Sequence, residues 1–112
     1  MRTLYVIFVT LLLARYYWPV SVVVLSSGSF HHTHVEVRGI VAYTVAETDG
    51  DTHIKLLSIY PDTLNRFIIA ECIPKLPCRH PKSGDTITVR GISRYDPEHR
   101  WYEVHPVEEL LP

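Results

Sequence analysis

Carboxylates and imidazoles recur at a spacing of two along this chain. Asp49, Asp51 and His53 lie in the run Asp-Gly-Asp-Thr-His, and His99, Trp101, Glu103 and His105 lie in His-Arg-Trp-Tyr-Glu-Val-His. Residues two apart on an extended strand project from one face, so Asp51 and His53 share a face, as do Trp101, Glu103 and His105, with Asp49 and His99 in the turns that precede them. Glu71 adds a carboxylate beside the apolar stretch Phe67-Ile68-Ile69-Ala70. If the strands carrying them are neighbours, Asp51, His53, Glu71, Glu103 and His105 converge. Three kinds of chemistry suit such a group. It can be a polar network that pairs each carboxylate with an imidazole or backbone donor and pins strand register. It can be an oxygen-and-nitrogen site for a hard or borderline divalent metal, with Asp51, His53, Glu103 and His105 as ligands. It can also line a groove for a small ligand or a peptide, with Trp101, Tyr102 and Tyr60 as the apolar surface. No organic cofactor is expected, and a divalent metal stays open.

The elements that must position these residues read as β-strands. The segments 34–39 and 86–91 alternate polar and apolar residues and share the string Val-Arg-Gly-Ile, at 37–40 and 89–92. A glycine inside a strand is tolerated where the chain must bulge or coil sharply, and two bent strands suit a small closed barrel. Further strands are expected at 52–60 after an Asp-Gly turn, at 66–73 after the turn around Pro61-Asp62, and at 100–105 after the turn 96–99. Pro74, Pro77 and Pro81 forbid a regular helix between the third and fourth of these strands, so a loop is expected there. The result is an all-β domain, a five-stranded OB-like Greek-key barrel over residues 30–112. An SH3-like barrel is the rival; the long first strand, 33–46, favours the OB arrangement.

Chain length and charge bound the rest. At 112 residues and net charge −1 the chain holds one ordinary domain and shows no strong bias toward an acidic or basic partner. Residues 1–29 contain only Arg2 and Arg15 as charged groups, whereas residues 30–112 carry nine basic and twelve acidic residues, a net −3. Residues 3–25 hold a single charge and are long enough to cross a bilayer as a helix. They are expected to form a transmembrane anchor, or a signal segment cut near Val24-Leu25-Ser26, followed by a Ser26-Ser27-Gly28-Ser29 linker. A buried N-terminal helix followed by a Val-rich strand, or a start codon placed too early, is the alternative. The expected location is a membrane with the barrel exported, or secretion if the leader is removed. Cys72 and Cys78 would then form a disulfide; in a reducing compartment they would be buried thiols. His31, His32 and His34 form a loose histidine tract without a spacing that demands metal geometry.

Two resemblances accompany these residues. Asp-Gly-Asp-Thr-His-Ile at 49–54, a Cys-containing Pro-rich loop, and His-Arg-Trp-Tyr-Glu-Val-His-Pro-Val at 99–107 resemble a group of small, uncharacterised OB-fold-like proteins. The similarity spans about residues 34–110. It implies that Asp49, Asp51, His53, His99, Trp101, Glu103 and His105 are the positions that matter. Asp-Gly-Asp-Thr at 49–52 is also similar to the start of thermonuclease-type domains, which implies Asp51 as a metal ligand for phosphodiester hydrolysis. This chain continues Ser58-Ile59-Tyr60-Pro61-Asp62 and lacks the Arg and Glu arrangement that such catalysis needs. The readings in order are a non-enzymatic, membrane-tethered or exported binding module, a single-stranded nucleic-acid-binding domain, and a metal-dependent hydrolase. The net −3 of the barrel disfavours the second, because phosphate binders need a basic groove.

Overall fold

A computed structural model describes residues 16–112. Its elements are β1 (Trp18–Pro19), the short helix α1 (Val22–Ser26), β2 (His34–Ala46), β3 (Thr52–Leu57), β4 (Phe67–Cys72), β5 (Thr86–Asp96) and β6 (Trp101–Leu111). The strands form one sheet in the order β1-β2-β3-β4-β6-β5, and pairing of β2 with β5 closes it into a five-stranded barrel with β1 as an added edge. Neighbours in the barrel are antiparallel except β4 and β6, which run parallel. The two Val-Arg-Gly-Ile strands are paired neighbours: Gly39 stands opposite Ile87, and Gly91 opposite Val35.

Alternation sorts the side chains. Val35, Val37, Val41, Ile54, Leu56, Ile68, Ala70, Ile87, Val89, Val104 and Val107 fill the interior. Val104 and Val107 both point inward although they are three apart. The register slips between Gly91 and Ser93, where β6 holds an extra residue, and that bulge resets which side the chain faces. A second slip, between Val41 and Tyr43 of β2, turns Tyr43 and Val45 outward beside Lys55 and His53.

Residues 16–29 differ from the expected anchor end and linker: they belong to the barrel. Trp18 and Pro19 pair in parallel with Val35 and Glu36. The Tyr17 hydroxyl donates to Glu108 Oε1 at 3.2 Å. The Ser21 hydroxyl caps α1 by accepting from the Val24 amide at 3.1 Å. Val22 and Leu25 are buried in the core. The helix closes the end of the barrel where β3 stops and β4 and β6 begin, with Val22 beside Gly39 and Leu56. The run 26–29 is the helix end and its exit turn, where Gly28 adopts φ +84° against the Tyr102 ring. Cutting at Val24-Leu25-Ser26 would therefore remove core side chains. Residues 1–15 of the apolar stretch lie outside the described residues. Among the described residues no helix is long and apolar enough to cross a membrane.

No helix forms between β4 and β5, as the prolines require. This segment is tied to the end of β4 by the Cys72–Cys78 disulfide, and loop closure of that length stabilises by about 2 kcal/mol.

Candidate functional site

The outer face of β3, β4 and β6 carries the acids and rings. His53 stands opposite Glu71 across β3 and β4, and Ile69 is registered with Glu103 across β4 and β6. Outward positions on these strands therefore read His53 and Lys55, then Phe67, Ile69 and Glu71, then Trp101, Glu103 and His105. The loop 47–51 and the hairpin turn 97–100 rise at its edges. Ile69 is fully buried on this outer side without joining the core, so the patch is a second, partly dry layer.

Glu71 is its centre. Its side chain is 9% exposed, with Oε1 at 3.1 Å from His53 Nε2 and Oε2 at 3.8 Å from His105 Nε2. The other ring nitrogen of His53 stands 3.4 Å from Glu47 Oε1. Asp51 approaches from the loop, and ligand atoms of Asp51, Glu71 and His105 all lie within 4.8 Å of one another. Burial, the Asp51 carboxylate and the Glu103 carboxylate together push Glu71 up from the ordinary 4.5 to about 8. Burial, and then the Arg94 guanidinium, hold His105 below the usual imidazole range.

Glu103 plays a different part. It is completely buried, and its oxygens accept from Arg94 Nε (2.5 Å) and from the Trp101 indole N–H (2.9 Å). It anchors Trp101 and is committed to these two donors. Trp101 lies flat against His99, with ring centroids 4.4 Å apart and planes 5° from parallel. The rings of His53 and Phe67 meet Trp101 edge-on. His99 is held in turn by Asp96, whose carboxylate lies 2.7 Å from Nδ1. That hydrogen bond raises the imidazole above its ordinary range. Burial alone would push Asp96 up, but the His99 ring and the amides of Glu98 and His99 outweigh it and leave Asp96 low. Beside Trp101 opens a cleft of about 300 Å³ lined by Leu64, Phe67, Trp101 and Tyr102 among others.

Of the residues singled out in the sequence, Asp51, His53, Glu71 and His105 come together, with Trp101, His99 and Glu103 immediately beside them. Asp49 does not join: its carboxylate accepts from the Asp51 amide at 2.9 Å and shapes the loop. Tyr60 is well exposed in a separate cleft, and Tyr102 packs against the core rather than on this face. Sequence reasoning missed Glu47, Arg94 and Asp96 as supports. The Asp96 signal was available, since an Asp three residues before a His in a tight turn can bond both ring and backbone.

The folded state prefers a neutral Glu71. A carboxyl raised in this way contributes stability that is complete below about pH 4.5 and is lost as pH rises through about 8. Glu71→Gln should therefore match wild type near pH 4.5 and exceed it above about pH 8 by about 1–2 kcal/mol, water at the rim screening the rest. Urea unfolding at the two pH values checks this, and equal stability at both would remove the neutral carboxyl from the account.

No family model matches the chain, and neither does any curated protein or solved structure.

Proposed function

We propose that the chain is a non-enzymatic binding module of the OB type whose outer β3–β4–β6 face takes a cationic ligand. Strand order supports the OB reading. Counting β2 to β6 as strands one to five, the closed order is 1-2-3-5-4 with strands three and five parallel, the arrangement of the Greek-key OB barrel. In that barrel the face of strands two and three, between the first and last hairpin loops, is the common ligand surface. Here it is the face that carries the site.

The observation that carries the proposal is the meeting, from three separate segments, of Asp51, Glu71 and the shelf of Trp101 and His99. The Asp51 carboxylate beside aromatic rings favours cations by charge and by the ring quadrupole, and Glu71 adds its charge where a bound cation displaces its proton. The phosphates of nucleic acid meet like charge from the carboxylates of this face. The Cys72–Cys78 disulfide supports work in an oxidising compartment. The apolar residues 3–15 that precede the barrel, shorter than a full span, support attachment at a membrane interface or a signal segment.

The test uses pentalysine as a cationic probe and oligothymidine as an anionic one, each added at low salt to the oxidised full chain. Pentalysine is expected to shift the amide resonances of residues 51, 71, 101 and 105, and oligothymidine is expected to leave them in place. Trp101→Ala should weaken pentalysine binding roughly tenfold, about 1.4 kcal/mol, with unchanged circular dichroism. Global unfolding of both Trp101→Ala and His53→Ala would mark the cluster as a purely structural network. Binding of oligothymidine in place of pentalysine would transfer the module to the nucleic-acid class.

A further inference from the structure

We infer that Asp51, Glu71 and His105 form a binding site for a divalent metal ion of borderline hardness, zinc or manganese, with His53 and Glu47 holding Glu71 in place. The inference rests on the reading of this outer face as a binding surface, and it names the cation.

The three donors come from the loop 47–51, from β4 and from β6, and they meet only once the barrel has closed. Their ligand atoms lie within 4.8 Å of one another. Between Glu71 Oε2 and His105 Nε2 the gap is 3.8 Å, too long for a hydrogen bond. Two donors bound at about 2.1 Å to one ion stand roughly 3–4 Å apart, so the gap has the width of a shared metal. Asp51, at the mouth of β3, supplies the third oxygen within the same 4.8 Å.

The surroundings divide the labour of the carboxylate. Glu71 presents Oε1 to His53 and Oε2 to His105. Glu47 stands at the far nitrogen of the His53 ring. The chain Glu47, His53, Glu71 is the outer-support arrangement that orients a ligating side chain and sets the tautomer of the imidazole within it. Glu103, close by, has both oxygens engaged and is excluded from the ligand set. His31 and His32 stack on each other in an exposed turn and offer no such frame.

The donor set selects the ion. Two carboxylates and one imidazole suit borderline metals, whereas soft ions want thiolates, and Cys72 and Cys78 are spent in their disulfide. Calcium prefers an all-oxygen shell, and the imidazole of His105 weighs against it. Three protein donors leave positions for water or for a donor atom of a partner.

Zinc, manganese and calcium chlorides, each titrated into the oxidised full chain in mild detergent, give the test by melting midpoint and calorimetry. Cobalt adds a visible spectrum that reports an oxygen-and-nitrogen shell. Zinc or manganese is expected to raise the midpoint, with calcium at the same concentration leaving it unchanged. Asp51→Asn and His105→Ala should abolish the rise. His53→Ala, which removes only the support, should weaken binding by about 10–100-fold, and a His31→Ala/His32→Ala variant should bind as wild type does. A midpoint that ignores every ion, or a response that disappears with His31 and His32, overturns the metal site. Pentalysine binding that persists without any metal response leaves the binding face standing and removes only its metal. Loss of both responses removes the two together.

Discussion

Arg94→Ala should destabilise the barrel by about 3–5 kcal/mol, because it strips the cation from a carboxylate that has no water. Glu103 is completely buried, while the Arg94 side chain is 39% exposed. The pair is therefore lopsided: removing the guanidinium loses little packing but leaves a negative charge inside the outer layer, next to Glu71. The indole N–H of Trp101 remains as a donor, and one neutral donor cannot offset a buried charge. Urea unfolding measures the loss. The double variant Arg94→Ala/Glu103→Gln is the control that separates charge from shape: it should recover more than half of the deficit, since the amide keeps the carboxylate outline without its charge. A double variant no more stable than Arg94→Ala would show that Arg94 acts by packing. The same pair matters for the site. Glu103 sets the plane of Trp101, so the single variant should also change Trp101 fluorescence before any global unfolding.

How much of this was legible beforehand depends on the range of the interaction. The repeated Val-Arg-Gly-Ile strings marked two bent strands, and the structure pairs them across Gly39 and Gly91. Period-two alternation placed His53, and Glu103 with His105, on one face of their strands, so their approach to Glu71 followed once β3, β4 and β6 were taken as neighbours. Arg94 was harder to see. It faces Glu103 in the unbroken part of the β5–β6 hairpin, where the register runs from Asp96–Trp101 to Ser93–Val104; the alternation that marks the strand ends at Gly91, so Arg94 had no strand to sit on. Residues 16–29 differ from the expected anchor end and linker for another reason. Val22-Val23-Val24-Leu25 is apolar whether it faces lipid or closes a barrel, since both remove it from water. What distinguished the two was local: Pro19 followed by Ser21 is a break and then a helix cap, and the cap is what forms.

Gly91→Ala should be the most damaging of the small substitutions, costing about 3 kcal/mol or more, with loss of folding as its extreme. A Cβ there would stand 2.2 Å from the Pro106 carbonyl oxygen and 2.7 Å from Val104 Cγ1. The first obstacle is backbone, which no change of rotamer can move aside. Gly39→Ala meets the Leu57 carbonyl at 2.8 Å and Leu56 Cβ at 3.1 Å, a milder overlap that should cost about 1–3 kcal/mol. The ordering of the two follows from where each glycine sits. Gly39 faces the end of β3, next to the short helix and a loop that can yield. Gly91 faces the β6 bulge, where Val104 and Val107 are both fixed in the core. Pro106 directly follows His105, so any displacement that makes room at Gly91 also swings that imidazole relative to Glu71. Gly91→Ala protein that still folds should therefore have lost its zinc or manganese response, while Gly39→Ala keeps it. Unfolding midpoints of both variants, read with the metal titration, decide the matter. If Gly91→Ala were as stable as wild type, the close approach of β5 to the β6 bulge, and with it the placing of His105, would have to be given up.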